Sequence, residues 1–429
     1  MTLRYLFRLF QAFIKRFKAV ILLGVFIGVL FFLIISYLLP SIDSTVIKIG
    51  IVGRYSTDNI PDDISSKISL GLTSVDANGN VNPSLSKSWE SPDGGKTWIF
   101  YLDDQKTWQD GKKVTSRDIT YKFSDASSEI IDESTIKFVL DSQFSAFPVI
   151  VARPIYKKGL VGSGDWKVKN VNLAGGYLQK LIITDKKKNK IVYKFYPSEE
   201  RLKLAFKLGE IDQIIKIQDT SEFDNWKTVN IDKDTSYSNF VGIFFNVEDE
   251  KLSDKQLRQS LNYAISKNDF DGVRALGPIS PFSWAFNPQV KQYNLDVKKT
   301  EDIKGSEIIL SVLPNLLTTA DKIKRDWESV GIKTEIQVVT GVPDSFQAFL
   351  ATVDIPKDPD QYSLWHSTQL ATNISKIKNP RIDKLLEDGR RELDQETRKK
   401  IYLDFQRFLV EEVPAIFLYH PNIYTITRK

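Results

Sequence analysis

The sequence predicts an α/β protein: one N-terminal transmembrane helix followed by a two-lobed globular ectodomain. Three observations carry this. Residues 19–39 hold no charged side chain. A helix pattern from Thr319 to Val330 stops at Gly331 and passes into alternating Ile332, Thr334, Ile336 and Val338, a helix–glycine–strand unit. Residues 41–429 exceed what one hydrophobic core usually serves.

The apolar run comes first. Its 21 residues span about 31 Å as a helix at 1.5 Å per residue, close to the ~30 Å hydrocarbon core. Arg4, Arg8, Lys15, Arg16 and Lys18 precede it without an acidic residue, which keeps residues 1–18 cytoplasmic and places residues 41–429 outside a plasma membrane, periplasmic or extracellular. A cleaved signal peptide is the competing reading. It requires a shorter apolar region and small residues at its end, and Ser36 to Pro40 offers neither.

Beyond the anchor, Ile47, Ile49 and Ile51 alternate on an opening strand, and the turn formers Ser91 to Lys96 precede a β-branched and aromatic strand from Thr97 to Leu102. Ser253 and Gln256 have capping-box spacing ahead of a helix whose Leu257, Leu261, Ala264 and Ile265 share a face, with Arg258 expected to pair on that helix. Asn379-Pro380 starts another helix, and a further one begins near Asp394 and leads to the apolar run 415–419. Trp89, Trp98, Trp108, Trp166 and Trp327 read as packing residues.

The composition excludes several functions. With no cysteine, thiolate metal sites, cysteine nucleophiles and a lipidated N-terminal cysteine are absent. The net charge of +5 resides entirely in residues 1–18, so the ectodomain is neutral and its net charge calls for no nucleic acid. Neither histidine, His366 or His420, has zinc-ligand spacing, and no Gly-x-Ser-x-Gly, P-loop or dinucleotide fingerprint occurs. The expectation is no catalytic residue, no cofactor and no metal.

Residues 70–123 resemble the N-terminal signature of the family 5 extracellular solute-binding proteins, the dipeptide- and oligopeptide-binding group of ABC importers. The elements occur in the family's order: Pro83 to Trp89, the Asp93-Gly94 turn, the Trp98 strand, the Trp108 to Gly111 turn and the Thr115 segment. Gly162 to Trp166, Gly209 to Asp212, Leu257 to Ile265, Gly331 to Lys333 and Asp354 to Ser367 extend the likeness over residues 46–425. The chain departs from the family's pattern after Phe123, where it passes almost directly to Asp132 and a small subdomain of the family is expected to be trimmed away.

The resemblance implies a type II binding-protein fold whose lobes close on a solute, lobe I over about 41–235 plus 410–429 and lobe II over about 236–409. It implies a monomer that delivers peptides or similar solutes to permease subunits, without an enzymatic step. A receptor or polymer-binding module on the same fold is the alternative. Family peptide binders hold the ligand's α-ammonium with an aspartate at the position of Asp354. Asp358, Tyr362, Trp365 and His366 follow in the same loop as candidate ligand contacts. Read without the family, Asp354 and Asp358 are turn residues around Pro356 and Pro359, and the three rings are core.

Overall fold

The computed structural model describes the backbone of residues 3–42 and 45–429, with side chains over 13–34 and from 45 onward. One helix, Leu3–Ile42, leads the chain and departs from helical geometry at Phe17, beside the last basic residues. Its segment Phe13–Ile34 has mean hydropathy 2.8 and none of its residues is buried, so among the described residues one helix is long and apolar enough to cross a membrane. The side chains of residues 35–39, the end of the expected anchor, lie outside the described residues.

The globular part is built on a continuous twelve-stranded sheet that passes through two lobes. In the first, Val46–Val52 lies parallel to Lys190–Tyr196 and to Gln213–Ile217, with Tyr177–Thr184 and Lys167–Ala174 added antiparallel at the edge. In the second, Glu307–Val312 is parallel to both Lys333–Val338 and Ala348–Asp354, and Asn239–Phe245 follows antiparallel. The C-terminal strand Ala415–Arg428 belongs to both lobes. Its first half pairs with Asn239–Phe245 and its second half with Val229–Thr235 and Gln213–Ile217.

The helix–glycine–strand unit forms as its pattern dictates. The helix Leu317–Ser329 buries Ala320, Ile323 and Trp327, and Gly331 takes φ +88° before the strand Lys333–Val338. That left-handed turn suits a residue without Cβ. Trp327 is fully buried and donates its indole N–H to the Leu261 carbonyl at 3.0 Å, so its ring stabilises the second lobe without leaving a polar atom unmatched. Each fully buried leucine or isoleucine around it contributes roughly 1.5–3 kcal/mol.

Three local expectations are refined. The N-cap of helix Lys255–Tyr263 is Asp254, which accepts from the Gln256 N–H at 2.8 Å, while Ser253 instead donates to the Glu250 carbonyl. A carboxylate one residue nearer the helix outcompetes the hydroxyl for the free N–H groups. Arg258 reaches off its helix to the carbonyls of Glu412 and Val413, and also holds Leu252 and Ser253, fastening the end of helix Gln395–Glu412. The region after Phe123 is a hairpin, Ala126–Ile130 and Thr135–Leu140, that completes a four-stranded sheet with Thr97–Leu102 and Ser86–Glu90. This sheet has a core of its own around Trp98, Phe100, Trp108 and Phe138.

Candidate ligand-binding site

Two chain segments cross between the lobes side by side. Residues 236–238 link Val229–Thr235 to Asn239–Phe245, and residues 419–422 run past them within the C-terminal strand. Ser236 N–H donates to the Pro421 carbonyl at 2.9 Å, Thr235 Oγ1 to Asn422 Oδ1 at 3.1 Å, and His420 Nδ1 lies 2.8 Å from the Asn239 carbonyl. Burial pushes the His420 imidazole below its usual pKa, so it is neutral and donates through Nδ1.

Away from the crossing, the lobes meet across a cleft. The hairpin Thr73–Val75/Val81–Pro83 projects from the first lobe, and its tip is shaped by Asp76, which accepts from the N–H groups of Asn78 and Asn80 at 2.9 Å each. These hydrogen bonds, Asn80 foremost, hold the Asp76 carboxyl below its ordinary pKa. The Asn78 carbonyl receives the Trp284 N–H at 3.0 Å from the second lobe. Ser145 donates its N–H to the Arg390 carbonyl at 2.7 Å and its hydroxyl to that of Gly389 at 3.1 Å, and Gln395 donates to Asn80 at 3.1 Å.

The hairpin tip divides the cleft into two cavities that both touch Gly79. One, of about 430 Å³, presents Trp89, Trp98 and Trp284 with Glu90, Gln395 and Arg398. The other, of about 370 Å³ on the hinge side, presents Tyr237, Phe282, Ser238, Ser280 and Lys357. Both volumes fall within the range of small-molecule sites, and flat amphipathic rings suit ligands of variable side chain.

The loop after Ala348–Asp354 separates the five expected contacts. Asp354 ends the strand beside the crossing: it pairs with Asn239 in register, its side chain is exposed, and it has no side-chain partner among the described residues. Asp358 reaches the wall of the larger cavity, but both its oxygens are held by the Arg398 guanidinium, one at 2.7 Å, and both residues are buried. Burial opposes the Arg398 charge and the facing Asp358 more than offsets this, so the guanidinium is held firmly charged. Asp360 accepts from Arg390 Nε at 2.9 Å; burial raises its pKa against that pairing.

The rings are turned inward. Trp365 is 1 % exposed, stacks on Phe244 and faces the core, because the short helix Tyr362–Trp365 directs it there. His366 is buried between Thr368, at 2.8 Å, and Glu387, at 3.4 Å. Tyr362 is sandwiched between the His366 ring, 4.0 Å away, and the Arg390 guanidinium, also at 4.0 Å. Of the five, Asp354 alone offers a polar group without a partner. Trp284, Tyr237 and Phe282, which the sequence did not single out, sit instead on the cavity walls; they lie in aperiodic stretches that carry no local signal.

Residues 80–370 match the family model of bacterial extracellular solute-binding proteins, family 5 middle region. The chain belongs to this family. An oligopeptide-binding protein of Bacillus subtilis, AppA, is 23% identical over 86% of this chain and 83% of its own length, and the dipeptide-binding protein of Escherichia coli is 22% identical over 81% and 82%. Among solved structures, the ABC transporter substrate-binding protein CtaP of Listeria monocytogenes superposes with a TM-score of 0.75 at 19% identity, covering 90% of this chain and 94% of that one. NikZ of Campylobacter jejuni, in complex with Ni(L-His), gives 0.72 at 22% identity over 90% and 94%. These likenesses establish the two-lobed α/β fold expected from the sequence. At such identities the fold is shared by proteins solved with a peptide and with a nickel chelate.

Proposed function

We propose that this solute-binding protein is held at the outer face of a membrane by its N-terminal helix, captures an oligopeptide-like solute between its lobes and hands it to the permease of an ABC importer, with no chemical step of its own. The observation that carries the reading is the divided cleft beside an unpaired carboxylate. Asp354 stands one residue from Ile355, which lines the hinge-side cavity. A peptide ammonium at Asp354 would gain a charge-assisted hydrogen bond, and an adjoining side chain would lie in the hinge-side cavity against Tyr237 and Phe282. The names of the peptide-binding relatives support the ligand class. Ligand contacts shared by both lobes then favour the closed form over the open one.

The test is a thermal-shift screen of the detergent-solubilised full chain against mixed short peptides, oligosaccharides and nickel–histidine. A peptide at about 100 times its Kd stabilises by ~2.7 kcal/mol. The shift is expected to vanish when the peptide is N-acetylated and in Asp354→Asn. A shift with sugars or the nickel chelate alone overturns the peptide reading.

A further inference from the structure

We propose that the lysine-rich turn between Tyr177–Thr184 and Lys190–Tyr196 is a second membrane contact, which docks the first lobe on anionic lipid headgroups. The inference rests on the anchoring helix of the proposed function and adds to it a surface that sets the ectodomain's orientation.

The connection is short. Three residues separate the helix Leu3–Ile42 from the strand Val46–Val52. A chain step spans at most about 3.6 Å, so Val46 lies within roughly 14 Å of the helix end. The edge of the sheet at Val46 is therefore the edge nearest the bilayer.

That edge carries the turn. Val46 pairs with Lys190, and Lys190 pairs with Thr184 across the hairpin, so residues 185–189 close it at the same end as Val46. Thr45 fastens them together: its hydroxyl donates to Asn189 Oδ1 at 3.0 Å, and its carbonyl accepts the Lys190 N–H at 2.8 Å. The last residue before the strand thus ties the turn to the point where the chain arrives from the helix.

The turn is braced by its own hydrogen bonds, and its lysines have few acidic partners among the described residues. Asp185 accepts from the Asn189 N–H at 2.9 Å and from its Nδ2 at 2.8 Å, which consumes the one carboxylate within the turn. Lys186, Lys187, Lys188 and Lys190 are all exposed. Lys187, Lys188 and Lys190 have no carboxylate partner among the described residues, and Lys186 has only Asp165, at 3.9 Å with both side chains about 90% exposed. Lys167, opposite Thr184 on the next strand, adds another exposed cation at this edge. Among the described residues, the nearby Asp212 accepts the Lys48 N–H. Lys188 sits at φ +68°, where asparagine or glycine has less strain, so backbone geometry does not account for a lysine there.

A solvated charge run is the ordinary fate of such a sequence. Here the tether changes the outcome, because it holds these ammonium groups beside the bilayer instead of leaving them to find it. Each lysine near an anionic surface favours the docked state roughly fivefold, the equivalent of about 1 kcal/mol, and the attraction decays over a Debye length.

The experiment uses the full chain with a donor dye on Asn170→Cys, a unique thiol in a protein without cysteine, exposed on the strand Lys167–Ala174. The chain is reconstituted into phosphatidylcholine vesicles with or without 30% phosphatidylglycerol, and energy transfer to a headgroup acceptor is read. Transfer is expected to rise with phosphatidylglycerol, and to lose that rise at 0.5 M salt and in Lys186→Gln/Lys187→Gln/Lys188→Asn. Equal transfer in the two lipids, or a rise that the triple variant retains, overturns the docking. Flotation of the same samples after an alkaline wash reports the anchor separately. A chain washed from both vesicle types overturns the anchor and the docking with it, whereas a retained chain without the lipid-dependent rise overturns the docking alone.

Discussion

The two seams between the lobes are built on different principles. At the crossing, two covalently continuous segments share a ladder, and the contacts from Thr235–Asn422 to Asn239–His420 repeat backbone order. At the far seam the lobes merely touch, through the hairpin tip on Trp284 and Ser145 on Gly389 and Arg390. The first seam cannot separate without unfolding a sheet. The second exchanges a few hydrogen bonds for water at a net ~1 kcal/mol each, which suits a seam that opens. A hinge and a latch therefore coexist in one sheet-based fold, with the cavities between them.

The largest expected effect comes from beneath the latch. Arg398 holds Asp358 with one end of its guanidinium and the Gly389 carbonyl with Nε at 2.8 Å, and that carbonyl also receives Ser145. Asp358→Ala leaves a buried cation unpaired, and denaturant titration should show a loss of about 3–5 kcal/mol. A loss under 1 kcal/mol would mean that the pair is dispensable and the latch platform rests on something else.

A smaller change separates latch from fold. Gly79 takes φ +84°, and a Cβ there would lie 2.8 Å from the Lys357 carbonyl across the cleft. Gly79→Ala should weaken the latch by about 1–3 kcal/mol. With dyes on Lys87→Cys and Lys400→Cys, exposed on opposite lobes, the ligand-free distance distribution should move to longer values. An unchanged distribution would show that the tip does not hold the seam.

The smallest effect is at the hinge and depends on pH. Burial depresses the His420 pKa from 6.5, so between the depressed value and 6.5 the unfolded chain binds more protons than the folded one. The stabilising contribution is fully present above about pH 6.5 and is lost as pH falls below it. His420→Gln should flatten that acid limb of the melting temperature between pH 7.5 and 5; an identical slope in the variant would assign it to other groups.

Local order was legible where side-chain chemistry acts over a few residues. Asn379 accepts the N–H groups of Arg381 and Ile382 as its position before Pro380 requires, and Asp394 caps the next helix by accepting from Thr397. The loop from Asp354 to His366 was only half legible. Its composition marks a turn rich in carboxylates and rings, but the partners that occupy Asp358 and Asp360 are Arg398 and Arg390, more than thirty places further on in the first case and exactly thirty in the second.

By itself the sequence determined the apolar run, the balanced charge of residues 41–429, the α/β periodicity and the order of motifs that marks the family, because each is a property of neighbours along the chain. The tertiary structure alone decided which of the expected carboxylates stays free, which tryptophans line the cavities and that residues 185–189 stand beside the start of the strand Val46–Val52. Those facts depend on pairings between segments far apart in the chain, such as Thr45 with Asn189 and Asn78 with Trp284, and a one-residue change of register would turn the same side chains to another face.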